Sequence, residues 1–110
     1  MTDDTPLEIS VYDLNELLVA GKAVTLLDVR EPHELEICKF ADSLDIPMHS
    51  IPGNLEKIRQ AAPLVVICHS GMRSWQVTQW LRQNGVDDVS NLRGGIDSWA
   101  REIDTNMPIY

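Results

Sequence analysis

The stretch "VVICHSGMRSWQVTQWL", Val65 to Leu81, places a thiol, a glycine and an arginine within six residues: Cys68, Gly71 and Arg73. A thiol becomes a nucleophile when its thiolate is stabilised, and a helix N-terminus and a nearby arginine are two ways to do that. The β-branched run before Cys68 reads as a strand, and the residues from Arg73 onward read as a helix. Between them the backbone must turn sharply, and Gly71 permits the positive φ of such a turn. The N–H groups of His69, Ser70, Gly71, Met72 and Arg73 can then face inward as an anion-binding nest. Unpaired N–H groups at the helix start strengthen the same field. A ring of this kind favours S⁻, and equally a second sulfur or an oxyanion carried on it. The competing reading is plainer: Cys68 is a small buried residue at a strand end, where free cysteines often sit.

Spacing separates two chemistries. A phosphotyrosine-type phosphatase loop resembles this one but needs a wider ring to wrap a tetrahedral phosphate with bidentate help from its arginine. Only "HSGM", four residues, lies between Cys68 and Arg73. The tighter ring suits a smaller group, such as one extra sulfur about 2.05 Å from the first.

Other side chains invite chemistry less strongly. Asp28 and Arg30 close the apolar run "VTLLDV", where they either act in catalysis or brace neighbouring loops as a charge pair; bracing is favoured. Arg93 follows the last strand and either lines the pocket mouth or is solvated. Cys38 sits in "HELEICKF", read as the apolar face of a helix beside Leu35 and Ile37, with the alternative of resolving Cys68 as a disulfide. His33 and His49 have no ligand spacing with either cysteine, so no metal is expected. Trp75 falls nearly opposite the helical stripe Val77, Trp80, Leu81 and Asn84. It is either covered by a loop or exposed beside the active turn as a docking aromatic, with Met72 completing an apolar rim. Trp99 reads as core.

These residues need a scaffold that brings strand ends together. Strands are expected at Leu7–Val11, Val24–Val29, Ser43–Met48, Leu64–Cys68 and Asp88–Leu92. Between them lie helical stretches: "LNELLVA" capped by Asp13, "EPHELEICK" with an early Pro32, "PGNLEKIRQ" after Gly53, Arg73 to Asn84, and "GGIDSWARE". Such alternation predicts an α/β fold, an open, mostly parallel five-stranded sheet flanked by helices. Ligands of such sheets sit at the carboxyl ends of the strands, where Asp28 with Arg30, Cys68 and Arg93 all fall.

Composition bounds the partners. At 110 residues, 1–110 is expected to form one domain with a single core. The acidic start "MTDDTPLEIS" reads as no signal peptide, and no apolar run matches a membrane span. With two separated cysteines read as free thiols, the cytoplasm is the expected compartment. A net charge of −8 argues against nucleic acid or an anionic membrane as partner. Any anion site must therefore be made locally.

Three motifs in order carry a family resemblance over nearly the whole chain: "LLDVREPHELEICKFADSLDIPM", "VVICHSGMRS" and "VSNLRGGIDSWARE". The chain resembles a single-domain rhodanese-like sulfurtransferase. The resemblance implies that Cys68 carries a persulfide, accepting sulfane sulfur from a donor and passing it to a thiol, cyanide or a protein acceptor. It makes the amides of His69, Ser70, Gly71, Met72 and Arg73 the cradle, with Arg73 either donating to an anionic donor or tying the loop to a carboxylate. It implies no metal and no organic cofactor. In thiosulfate-preferring members basic residues follow the cysteine, whereas His69 and Ser70 stand there, so a persulfide donor fits as well as thiosulfate. A sulfur-carrier protein is a possible partner. The alternatives are a binding or regulatory module on the same fold, or a small phosphatase or arsenate reductase.

Overall fold

Strand parity organises the molecule. In a computed structural model describing residues 5–110, five strands form one sheet: β1 (Glu8–Ile9), β2 (Thr25–Asp28), β3 (Leu44–Asp45), β4 (Leu64–Ile67) and β5 (Val89–Leu92). Their order is β1-β5-β4-β2-β3, and every pairing is parallel. The helices are α1 (Val11–Val19), α2 (Pro32–Leu35), α3 (Leu55–Gln60), α4 (Met72–Gln83) and α5 (Gly95–Glu102). The expected α/β sheet is therefore present, with all five strands running the same way.

Successive side chains of a strand point to opposite faces, and the two cores follow that rule. Leu64 and Val66 of β4 pack with Leu27, Ile58, Val77, Leu81 and Cys68 on the α3/α4 face. Val65 and Ile67 pack with Leu14, Ile96, Trp99, Phe40 and Cys38 on the α1/α5 face. Trp99 is core, stacked at a tilt on Phe40 with centroids 4.9 Å apart. Burial on both faces explains why β4 is continuously apolar.

Several boundaries differ from the sequence expectation. Ser10, not Asp13, caps α1; Asp13 is its capping-box partner, so β1 ends at Ile9 and Val11 is already helical. β3 is only Leu44–Asp45, and short 3-10 turns at Met48–Ser50 and Pro52–Asn54 precede α3. The expected helix through Cys38 stops at Leu35. Its physical reason is Arg30, whose guanidinium donates to the Glu34 carbonyl at 3.4 Å and the Cys38 carbonyl at 2.8 Å. The Cys38 carbonyl is thereby satisfied without a further helical turn, while the Glu34 carbonyl also accepts the Ile37 N–H at 3.1 Å, and Ile37 is left exposed.

Candidate active site

The carboxyl end of β4 delivers Cys68 to the floor of a loop closed by α4. Its thiol is buried, 1% exposed, rather than standing open at the turn. Sγ accepts the Gly71 N–H at 3.0 Å. Gly71 holds φ +103°, and an added Cβ there would meet Gly94 N at 3.1 Å and Leu92 O at 3.3 Å. The first N–H groups of α4, on Met72 and Arg73, have no intrahelical acceptor by position.

The loop carbonyls are turned the other way by α5. Ile96 N–H donates to the Cys68 carbonyl at 2.9 Å and Asp97 N–H to the His69 carbonyl at 3.0 Å. This docking demands the second glycine of "RGG". A Cβ on Gly95 would lie 2.4 Å from His69 O and 2.6 Å from Cys68 O. With the Cys68 and His69 carbonyls engaged by α5, the loop turns the Gly71 N–H toward the sulfur.

Arg73 does not reach into this cradle. Its guanidinium grips the Glu34 carboxylate with two bonds, 2.7 and 2.8 Å. Of the two roles open to it in the sequence, the geometry gives it the tie to a carboxylate. Tyr110 donates its hydroxyl to the same carboxylate at 2.8 Å and accepts from Arg30 at 3.1 Å. Arg30 and Asp28, both fully buried, pair at 2.8 Å. The Arg73 hydrogen bonds, against the opposing effect of burial, hold the Glu34 carboxyl down at about 2. Reciprocally, Glu34 raises Arg73 above the ordinary arginine value. Burial works against the Arg30 charge, but Asp28 and Tyr110 outweigh it and raise that group too. Burial, helped by Glu34 and opposed by Arg30, pushes the Tyr110 phenol up.

Around the mouth the side chains are mostly uncharged. His69 stacks on the Tyr110 ring, centroids 4.1 Å apart, with Nε2 3.9 Å from Asp97 Oδ1. Ser70 is exposed and Met72 is 73% exposed. Beneath the thiol, Ser74 Oγ lies 3.2 Å from Sγ and 2.5 Å from Asn91 Oδ1. Among the described residues, no group of three His, Cys, Asp or Glu is placed to hold a metal ion.

The rhodanese-like domain family matches residues 10–102 of this chain. The chain belongs to the rhodanese-like family. A sulfurtransferase of Allochromatium vinosum is 40% identical over 94 residues, covering 86% of this chain and 88% of that one. The adenylyltransferase and sulfurtransferase UBA4 of Meyerozyma guilliermondii is 34% identical over 93% of this chain, which spans only 26% of that protein. A rhodanese-like domain protein of Staphylococcus aureus superimposes with a TM-score of 0.80 at 30% identity, over 96% of this chain and 99% of that one. By homology the chain is a member of the sulfurtransferases.

Within this rhodanese-like fold the remaining candidates are scattered. Arg93 is exposed, 3.8 Å from Glu8 Oε1, and is not gathered into the cradle. Trp75 is half-buried, between the two alternatives. Cys38 packs in the α1/α5 core, across the sheet from Cys68 in the α3/α4 core. That placement rules out direct disulfide resolution in this fold, because the sheet stands between the thiols. Four residues of the site escaped sequence reasoning: Glu34, Ser74, Asn91 and Tyr110. Asn91 left one signal, an amide beside Ser90 in the short strand "VSNL".

Proposed function

We propose that the protein moves sulfane sulfur through a persulfide on Cys68. The observation that carries this reading is Cys68 Sγ under the Gly71 N–H at 3.0 Å, in a loop whose flanking carbonyls are bound away by α5. The thiolate attacks the sulfane sulfur of a donor, forming an S–S bond while the donor's remainder leaves with the electron pair. The outer sulfur is then held among the loop amides until a thiol, cyanide or protein acceptor takes it. Sulfur is carried covalently, so neither metal nor organic cofactor enters the cycle.

The charge around the mouth bears on the donor. Arg73 is matched by Glu34, and His69 and Ser70 stand where a dianion would want bases. The overall charge of −8 adds long-range repulsion. A persulfide donor therefore suits the site better than thiosulfate. The exposed Met72 offers an apolar rim for a sulfur-carrier or other protein. The reading places this exchange in the cytoplasm, where free thiols persist.

Intact mass before and after a donor tests the reading. Wild type is expected to gain one sulfur, faster from a small-molecule persulfide than from thiosulfate, and to lose it to cyanide or dithiothreitol. Cys68→Ser is expected to gain none. A wild-type protein that never gains sulfur from either donor overturns the proposal.

A further inference from the structure

Behind the thiol lies a set of neutral groups that sulfur capture in the amide cradle does not use. Ser74 is fully buried, as is Asn91, and Cys68 is 1% exposed. Ser74 Oγ stands 3.2 Å from Cys68 Sγ and 2.5 Å from Asn91 Oδ1. The Asn91 amide is oriented by its other end: Nδ2 donates to Glu8 Oε2 at 2.8 Å and to the Gly71 carbonyl at 3.3 Å. Its oxygen is thereby aimed at Ser74. A hydroxyl carries one proton and can serve only one of these two acceptors at a time.

We infer that the Ser74 hydroxyl is a two-position donor that follows the charge on Cys68, and that Asn91, locked by Glu8, competes for it. When Sγ is a thiolate, Ser74 donates to sulfur beside the Gly71 N–H. When Sγ is a thiol or the inner sulfur of a persulfide, it bears no charge, and Ser74 donates to Asn91 Oδ1. Resting on the persulfide reading, this assigns Ser74 a specific step. In unloading, an acceptor thiolate RS⁻ bonds to the outer sulfur of Cys68–S–SH. The Sγ–S bond breaks with its electron pair on Sγ, giving R–S–SH and the Cys68 thiolate. Ser74 thus meets the leaving group, while Asn91 and Glu8 act only as positioning residues. In loading, the same thiolate is the attacking group. Loss of the donor lowers the thiolate population but makes each thiolate more nucleophilic, so the two effects partly offset.

The test uses iodoacetamide alkylation of Cys68 at pH 7 and single-turnover transfer on the full chain. Ser74→Ala is expected to slow alkylation roughly 3- to 10-fold and to slow unloading to a small thiol more than loading. Ser74→Thr, which keeps the hydroxyl, is expected to restore both. Glu8→Ala frees the Asn91 amide to turn its NH₂ toward Ser74, and is expected to speed alkylation by roughly 2- to 3-fold. Glu8→Gln, which keeps an acceptor without the charge, separates this from a simple charge effect and is expected to stay nearer wild type than Glu8→Ala. Alkylation changing in the same direction in Ser74→Ala and Glu8→Ala overturns the inference, as does Glu8→Gln matching Glu8→Ala. Because alkylation needs no sulfur donor, these outcomes stand apart from failure of the persulfide reading.

Discussion

On one flank of the active loop lie Asp28, Arg30, Glu34, Arg73 and Tyr110; on the other lie Ser74, Asn91 and the carboxylate of Glu8. The first flank is ionic. Asp28–Arg30 and Arg73–Glu34 are each bound at hydrogen-bond distance, and Tyr110 bridges the two pairs. The second is neutral where it meets the sulfur, and there one proton faces two acceptors. Charged groups with full sets of partners hold a fixed shape, because any rearrangement leaves a buried charge uncompensated. A hydroxyl that chooses between acceptors adapts at little cost. Rigidity and responsiveness around Cys68 are thus assigned to different chemistry.

Breaking the ionic flank is expected to act on stability. Asp28→Ala leaves the buried Arg30 guanidinium without its carboxylate and is expected to cost about 3–5 kcal/mol in urea unfolding. Alkylation of Cys68 in the remaining folded protein should change far less than in Ser74→Ala. Glu34→Gln keeps the shape but loses the charge, with an expected cost of about 2 kcal/mol. The same residue sets an acid limb. Its folded value of about 2 lies below the ordinary 4.5, so its contribution is complete above pH 4.5 and is lost as pH falls toward 2. Unfolding free energy measured over that window should fall more steeply in wild type than in Glu34→Gln. Arg93→Ala, touching an exposed pair at 3.8 Å, is expected to shift stability by less than about 0.5 kcal/mol. A larger effect there would place Arg93 inside the machinery rather than outside both flanks.

Much of this arrangement is legible in the sequence because it is local. Strand, turn and helix around Cys68 follow from Val65–Cys68, Gly71 and the periodicity after Arg73. The double glycine that opens α5 is visible in the sequence, although only the structure reveals the close approach of Gly95 to the Cys68 and His69 carbonyls. Pairings across the chain are different in kind. Arg73 and Glu34 are 39 positions apart, and Tyr110 and Glu34 are 76 apart. No local pattern says which carboxylate an arginine will find. The short α2 has a related cause: periodicity favours a longer helix, but Arg30 takes up the Cys38 carbonyl from outside. Capping went the same way on a smaller scale, since Ser10 and Asp13 form one reciprocal motif and either is a plausible cap by type.

The separation of Cys38 and Cys68 by the sheet has a consequence for time rather than geometry. The chain has two cysteines, and neither can reach the other in the folded state. On the persulfide reading proposed above, sulfur loaded on Cys68 would therefore have no intramolecular route to collapse into a disulfide. How long such a loaded form lasted would be set by the arrival of a second molecule, and the protein would act as a one-sulfur reservoir timed by encounter.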